Sequence, residues 1–213
     1  MLSAVARTVV PVLGRLTMSM DEGAVLAPGS IVAPNHSSLV DPGVVLAAVR
    51  RLGVEPVILA TSGLWRIPVL GRVLVREGHV PVRRGTERAA EALEAAAAAL
   101  AAGRVVVIYA EGRLPRHVEA ADTAPGPFRT GLARLAAEGA PVVPLGQAGA
   151  RRISSGSTAK QLSGLLTAPL RRPALHVHLG APLRLTGDVE AATAQAREAV
   201  TRAWRTAADR LAR

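Results

Sequence analysis

Residues 30–51 of this 213-residue chain read SIVAPNHSSLVDPGVVLAAVRR, and this stretch decides the fold class. Its first part, Ser30–Pro34, is apolar and predicts a short strand. Asp41 and Pro42 predict a helix start, because aspartate favours the N-cap and proline suits the first helical position. The helix is expected to run to about Arg51. A buried strand followed directly by a helix is typical of α/β proteins.

The same alternation continues along the chain. Further strands are predicted at Pro56–Thr61, Val80–Val82, Arg104–Ala110, Pro141–Gln147 and Ala174–Leu179. Helices are predicted at Glu87–Ala102, Phe128–Glu138 and Asp188–Leu211, with a short helix or turn region at Leu64–Val75. Residues 112–127 indicate a loop, and the basic stretch 149–173 is left without an assignment. We therefore expect one α/β domain, with a central, mostly parallel or mixed sheet flanked by helices.

Residues 1–20 are expected to form an amphipathic helix ahead of the main domain, which is expected to span residues 21–213. Apolar side chains recur at helical spacing from Leu2 to Leu16, while Arg7 and Arg15 lie off that face and Pro11 interrupts it. Two interpretations stay open: a helix packed on its own domain, or one lying at a membrane interface. The sequence has no run of about 18 uncharged apolar residues, so no transmembrane helix is predicted. The charge of Arg7 argues against a signal peptide.

The composition and net charge exclude several classes of partner and of functional site. Lysine and arginine number 26 against 16 acidic residues, so the net charge of +10 indicates an anionic partner. Aromatic residues make up only 2% and no nucleic-acid recognition motif is present, so nucleic acid is not an expected partner. The absence of cysteine excludes disulfides, cysteine nucleophiles and cysteine-based metal sites. No glycine-rich dinucleotide or P-loop pattern appears.

The chemistry is expected at His36 and Asp41, which lie five residues apart across the predicted strand-to-helix turn. In a tight turn the Asp41 carboxylate can reach the Nδ1–H of His36 and fix its tautomer. The free Nε2 could then take a proton from a hydroxyl as a general base. The alternative is that Asp41 is only an N-cap and His36 only a loop residue.

The sequence around this pair resembles a known family. Asn35-His36 with Asp41 is similar to the N-H-x-x-x-x-D motif of the glycerolipid acyltransferases, the lysophosphatidate (1-acyl-glycerol-3-phosphate) acyltransferase family. Further similar blocks follow in the family's order: Ile67–Gly71 with Gly78–Arg84, then Tyr109–Arg113, then Phe128–Gly131, then Pro141–Pro144. The resemblance covers about residues 30–147.

Some residues depart from the family's pattern. Ala110 replaces a usual proline, Arg113 stands where threonine is common, and Leu114 stands where arginine is common. Arg83 is also unusual, since many members carry an acidic residue there. The phosphate-binding arginine of the third block is therefore either Arg113 or Arg116. These changes bear on the identity of the acceptor more than on the acyl-transfer chemistry.

The resemblance implies a direct reaction, in which an acceptor hydroxyl attacks an acyl thioester carried by coenzyme A or acyl carrier protein. His36 would take the proton, and Asp41 would orient the His36 ring. The reaction would need no covalent intermediate, cofactor or metal. The resemblance assigns substrate binding to Asn35, Arg83, Arg84, Glu111, Gly112, Arg113, Arg116 and Arg129.

The simplest acceptor implied is 1-acyl-glycerol-3-phosphate, which would be converted to phosphatidic acid at an anionic membrane surface. The expected location is cytoplasmic, peripheral at the inner face of the cell membrane. The alternatives are an acyltransferase for a different lysolipid or small metabolite, and a non-catalytic relative that binds anionic lipid.

The remaining histidines and basic residues give weaker signals. His176 and His178 share a strand face, but no third ligand is evident, so ordinary strand histidines are expected. His79 and His117 are expected to face solvent or lie in loops. The diffuse basic region around 151–172 fits either lipid headgroups or a solvated loop.

Overall fold

The fold is built on one mixed sheet, seen in a computed structural model that describes residues 2–83, 89–112 and 123–213. Within these ranges the strands are β1 (Arg15–Met20), β2 (Ile31–Pro34), β3 (Val57–Thr61), β4 (Val80–Val82), β5 (Val106–Val107), β6 (Val142–Ala148) and β7 (Ala174–Leu179). The helices are α1 (Leu2–Leu13), α2 (Asp41–Arg51), α3 (Pro68–Arg76), α4 (Ala89–Ala101), α5 (Gly131–Ala136), α6 (Thr158–Arg171) and α7 (Val189–Ala212). Short 3-10 helices lie at Ser62–Arg66 and Ala150–Arg152.

The strand order is β1-β7-β6-β2-β5-β3-β4, which places β2 near the middle of the sheet. The five strands from β6 to β4 run parallel, and in the register Ile31 lies opposite Val142 on one side and Val106 on the other. β7 runs antiparallel to β6, and β1 pairs in parallel with β7 at the edge. The carboxyl ends of β2, β5 and β6 therefore meet at one edge of the sheet, next to the start of α2.

Alternating strand residues build a core on each face of the sheet. Val32, Val107 and Val143 pack with α1, α2 and part of α6. Their neighbours Ile31, Val106 and Val142 point the other way, toward α4, α5 and α7. Because successive side chains of a strand point to opposite faces, these continuous apolar runs are the signature of strands covered on both sides.

Most predicted elements are confirmed, but two segments differ. The helix expected over residues 1–20 ends at Leu13, and Arg15–Met20 is instead the edge strand β1. Gly14 permits the change of direction, since a Cβ there would lie 2.8 Å from the Pro173 carbonyl oxygen. The stretch 149–173 contains the helix α6, which the sequence analysis did not assign. Its N-cap is Ser157, whose side chain accepts a hydrogen bond from the Lys160 backbone N–H.

Two predicted elements are shorter than expected. The strand predicted over Arg104–Ala110 is limited to Val106–Val107, because the chain turns at Tyr109, whose carbonyl accepts from the Gly112 N–H. The helix predicted over Phe128–Glu138 is limited to Gly131–Ala136.

One histidine is more buried than expected, and the two histidines of β7 are the strand histidines that were predicted. His79, expected in solvent or a loop, is 6% exposed, and its Nδ1 accepts a hydrogen bond from the Ile58 backbone N–H at 3.1 Å. His176 and His178 join a chain of hydrogen bonds in which the Ser19 hydroxyl lies 2.8 Å from His176 Nε2 and 2.9 Å from His178 Nδ1. His178 Nε2 lies 3.1 Å from an Asp21 carboxylate oxygen. His117 lies outside the described residues.

Gly146 of β6 provides a test of how α7 packs on the sheet. A Cβ at Gly146 would lie 2.1 Å from backbone atoms of Ala203, and main-chain atoms cannot move aside cheaply. We expect Gly146→Ala to lower the free energy of unfolding by about 1–3 kcal/mol or more, measured by urea denaturation. Gly63→Ala is the matched control, because nothing lies within 4 Å of a Cβ there. Equal stabilities of the two variants would contradict this packing.

The buried histidines predict a loss of stability in mild acid. Burial lowers the pKa of His79, and burial together with the positive charges of His178 and Arg210 lowers the pKa of His176. The unfolded chain therefore binds more protons than the folded chain below the ordinary pKa of about 6.5. Stability should be full above that pH and fall below it, by at most about 1.4 kcal/mol per pH unit for each histidine.

The measurement is urea denaturation between neutral and mildly acidic pH. A His79→Gln variant, which keeps an acceptor for the Ile58 N–H, should show a shallower decline than the native chain. An unchanged decline in this variant would show that His79 does not contribute.

Candidate active site

The candidate site lies at the carboxyl edge of the parallel strands, where the chain leaves β2 and enters α2. Asn35 and His36 follow β2, and Asp41 is the first residue of α2. Glu111 follows the neighbouring strand β5, and Gln147 lies near the end of β6 on the other side. In open α/β sheets this crevice beyond the carboxyl ends of the strands is where ligands bind.

His36 and Asp41 form the predicted pair. His36 Nδ1 lies 3.0 Å from Asp41 Oδ2, and the Asp41 side chain is fully buried while that of His36 is 15% exposed. The same oxygen accepts the backbone N–H groups of Ser37 and Ser38, at 2.5 and 2.8 Å. A carboxylate acceptor requires a proton on Nδ1, so the Nε2 lone pair of neutral His36 is left available as a base.

The alternative role of Asp41 as an N-cap is wrong in detail. Val40 occupies the N-cap position, and no side-chain cap bond is present. Asp41 instead turns its carboxylate back toward the preceding loop from the first position of the helix. The positive end of the helix dipole favours a negative charge there.

The loop that carries His36 is bonded to residues 147–154, which include the last two residues of β6 and the chain that follows it. The Asn35 side chain donates to the Gln147 carbonyl at 3.1 Å and accepts from the Gln147 N–H at 2.8 Å. The buried Arg151 guanidinium donates to the Ser37 carbonyl at 3.0 Å. The Ser38 hydroxyl donates to the Ser154 carbonyl at 2.7 Å. We call residues 147–154 the clamp segment, because it holds Asn35, Ser37 and Ser38 of the His36 loop.

The sequence analysis missed the clamp segment. Arg151 was grouped with a diffuse basic region, although it is only 3% exposed. The one available signal was Gln147, a lone amide at the end of an otherwise apolar strand. Asn35 was predicted to bind substrate. The contacts that the structure shows for its side chain are instead structural, since they join the ends of β2 and β6.

Glu111 ties the third sequence block to His36. One carboxylate oxygen accepts the His36 backbone N–H at 2.8 Å, and the other accepts the Gly126 N–H at 2.9 Å. Burial raises the pKa of Glu111, and the two N–H donors oppose that rise. Glu111 therefore helps to set the position of the His36 backbone.

Gly112 and Arg129 lie directly beside Glu111. Gly112 has a φ of +71°, and a Cβ on it would lie 2.8 Å from the Arg129 Cδ. The Arg129 backbone N–H donates to the Ala110 carbonyl at 2.8 Å, and its side chain is exposed. The positive φ and the close contact both favour glycine here. The structure thus places the exposed Arg129 side chain against Gly112, which follows the glutamate that bonds the His36 backbone.

Tyr109 is a neighbour of His36 that the sequence analysis did not single out as a site residue. The two rings are 4.3 Å apart between centroids and tilted by 36°. The hydroxyl is buried and has no hydrogen-bond partner among the described residues. Its burial and the nearby negative charge of Asp41 raise the pKa of Tyr109 well above its ordinary value, so the phenol stays neutral. The ring therefore forms an apolar wall beside the imidazole.

Of the other arginines predicted to bind substrate, the structure describes only Arg83. Arg83 is exposed just beyond β4, on the same edge of the sheet as His36 but three strands away. Arg84, Arg113 and Arg116 lie outside the described residues, so their roles stay predictions. Among the residues that the structure describes, no group of three or more histidine or acidic side chains is arranged to hold a metal ion.

The pairing of His36 with Asp41 can be tested by the tautomer of His36. At alkaline pH, nitrogen NMR should show His36 protonated at Nδ1 and unprotonated at Nε2, because Asp41 is the acceptor. Asp41→Asn should weaken that preference and destabilise the fold by about 1–3 kcal/mol, since a buried charged acceptor is lost. Asp188→Asn is the control, because Asp188 caps α7 away from the site. A His36 tautomer insensitive to Asp41→Asn would contradict the pairing.

Comparisons with known proteins place the chain in a family and find a solved structure with the same fold. The family model described as Acyltransferase matches residues 15–147, which is more than half of the chain. A comparison with curated proteins finds no match. Among solved structures, the 1-acyl-sn-glycerophosphate (LPA) acyltransferase PlsC from Thermotoga maritima is similar with a TM-score of 0.74 and 17% identity, covering 100% of this chain and 79% of that one. At that identity the likeness shows a shared fold. With its N-H-x-x-x-x-D motif inside the matched region, the chain belongs to the Acyltransferase family.

Proposed function

We propose that this acyltransferase moves a fatty acyl group from a thioester of coenzyme A or acyl carrier protein to the hydroxyl of a lysophospholipid. The simplest acceptor is 1-acyl-glycerol-3-phosphate, with phosphatidic acid as the product. The observation that carries the proposal is the 3.0 Å contact between His36 Nδ1 and the buried Asp41 carboxylate. It supports a general base whose Nε2 is free for a hydroxyl proton.

In the proposed reaction the acceptor oxygen attacks the thioester carbonyl carbon, and His36 Nε2 takes the hydroxyl proton. The C–S bond then breaks, which leaves the acyl group on the acceptor oxygen as an ester. The His36 imidazolium gives the proton to the leaving thiolate. Asp41 stabilises the positive imidazolium by accepting from Nδ1. The products are one ester and one free thiol, so atoms and charge balance without a covalent acyl-enzyme.

The charges at the edge of the sheet support an anionic acceptor. Arg129 lies exposed beside Gly112, and Arg83 lies exposed on the same edge. A guanidinium binds phosphate through two parallel hydrogen bonds, which suits a glycerol phosphate headgroup. Arg84, with Arg113 or Arg116, is proposed to complete this binding.

The proposed location is the cytoplasmic face of the cell membrane, with the protein held peripherally on an anionic surface. Among the described residues, no helix combines the length and the apolar character needed to cross a bilayer. The net charge of +10 supports attraction to anionic headgroups.

Thiol release from long-chain acyl-coenzyme A tests the proposal. Release should require 1-acyl-glycerol-3-phosphate, and His36→Ala should lower the rate by at least about 10²–10⁴-fold, the usual contribution of a general base. The chain has no cysteine, so it adds no thiol background to a chromogenic disulfide assay. His79→Gln is the matched control, since His79 is a buried histidine away from the site. Full activity of His36→Ala would contradict the mechanism.

A comparison of acceptors tests the substrate class. Lysophospholipids with and without a terminal phosphate should differ, and Arg129→Ala should raise the KM for the phosphorylated acceptor by roughly tenfold or more. If unphosphorylated acceptors turn over equally well, the acceptor is a different lysolipid or metabolite. If the protein binds anionic vesicles but releases no thiol with either donor carrier or any acceptor, it is a non-catalytic lipid-binding relative.

A further inference from the structure

The outer face of α6 carries a row of exposed leucines. Leu162, Leu166 and Leu170 are 58%, 80% and 89% exposed, and their spacing of four residues places them on one side of the helix. A stripe of this kind is uncommon on a monomeric surface and marks a contact with lipid or protein.

The inner face of α6 fixes the direction of this stripe. Ala168 is fully buried, and Leu165 packs against the same core. A Cβ at Gly164 would lie 2.2 Å from the Ile153 carbonyl oxygen, so the helix rests directly on the chain that follows the 3-10 turn. The leucines therefore face away from the domain.

The helix α1 extends the apolar surface. It contacts α6, and the Arg172 guanidinium donates to the Pro11 carbonyl at 3.1 Å. Its outer residues Val5, Val9 and Val12 are each about half exposed. We call these three valines and the three leucines of α6 the α1–α6 face.

The charged side chains that the two helices themselves carry are all basic, and Glu77 is an acidic neighbour at the start of α1, where its carboxylate accepts the Leu2 N–H. Neither α1 nor α6 contains an acidic residue, and no acidic residue occurs between 149 and 173. Exposed cations on or beside the two helices are Arg7, Arg15, Arg152, Lys160, Arg171 and Arg172. An apolar stripe flanked by cations is the pattern of a helix that lies in the interface of an anionic bilayer. Two copies meeting through this face would bring like charges together, which disfavours self-association.

The face also lies at the edge of the sheet that carries His36. α6 begins after the clamp segment, which leaves the carboxyl end of β6, and it ends just before β7, which returns antiparallel from the same edge. The clamp segment contacts both the His36 loop and α6. The Ser154 carbonyl accepts from the Ser38 hydroxyl, and the Ile153 carbonyl lies against Gly164 of α6.

From these observations we infer that the α1–α6 face docks on an anionic lipid surface, with α6 lying in the plane of the headgroups. This inference rests on the proposed function, for which it supplies the route of the acceptor. A lysophospholipid held in the bilayer would meet His36 at the edge of the protein that touches the lipid. At about 1.5 Å per residue, 14 residues make a helix of roughly 21 Å, too short to span the core of a bilayer.

The experiment is co-sedimentation with vesicles of phosphatidylcholine alone and of phosphatidylcholine mixed with phosphatidylglycerol, without any substrate. The native chain should bind the anionic vesicles more tightly, with binding that falls as salt rises. The triple variant Leu162→Gln, Leu166→Gln, Leu170→Gln should bind them at least about tenfold more weakly, because each leucine loses apolar contact with lipid.

The matched control is the triple variant Met20→Gln, Val25→Gln, Val189→Gln. These three apolar residues are 40–55% exposed but lie away from α6, at the end of β1, in the loop after it and at the start of α7. The control variant should bind vesicles like the native chain. Circular dichroism melting of both triple variants should show that each one is folded.

Equal vesicle binding by the leucine variant and the native chain would overturn the inference. So would a native dimer that the leucine variant turns into a monomer while vesicle binding is unchanged, since the face would then serve self-association. His36→Ala should bind vesicles normally, because it leaves the α1–α6 face intact. Failure of thiol release with normal vesicle binding would therefore contradict the proposed function and leave the docking surface standing.

Discussion

A single buried oxygen, Oδ2 of Asp41, organises the candidate active site of this protein. It accepts three hydrogens, from the imidazole of His36 and from the backbone N–H groups of Ser37 and Ser38. A buried carboxylate is costly unless such donors surround it, so the loop has little freedom to adopt another shape. The start of α2 contributes its dipole to the same charge. The conformation of the loop and the tautomer of the base are thus set by one group.

The clamp segment gives this arrangement its rigidity from the other side. It reaches Asn35, Ser37 and Ser38 from β6, the strand next to β2 in the sheet. Glu111 adds a contact from β5 on the opposite flank. The backbone around His36 is therefore held by groups from both neighbouring strands, which is how an enzyme pre-organises a base without spending binding energy on the substrate. Tyr109 leaves one side of the imidazole apolar.

The fold class, the central strands and the His36–Asp41 pair could all be predicted from local patterns. These features are indicated by β-branched runs, a proline at the start of α2 and a family motif. Such signals involve residues close together in the chain, so a single sequence is enough to recognise them. The clamp segment could not be predicted, because its hydrogen bonds join residues that are 112 to 116 positions apart in the chain. Arg151 looks like any surface arginine until the packing shows it buried. The strand β1 was predicted as the end of a helix, because the helical spacing of apolar residues continues from Leu2 to Leu16. The alternation of polar and apolar side chains over Arg15–Met20 was the signal that indicates a strand.

The position of β1 also governs the order in which the chain can fold. Its only strand partner among the described residues is β7, and the Thr17 hydroxyl bonds to a carbonyl 158 residues later. Contacts between such distant parts form late, because closing a long loop costs entropy before any contact repays it. During synthesis the parallel strands β2 to β6 can assemble first, while residues 15–20 wait for residues 174–179 to leave the ribosome. Residues 15–20 therefore stay unpaired as a strand until residues 174–179 have been made.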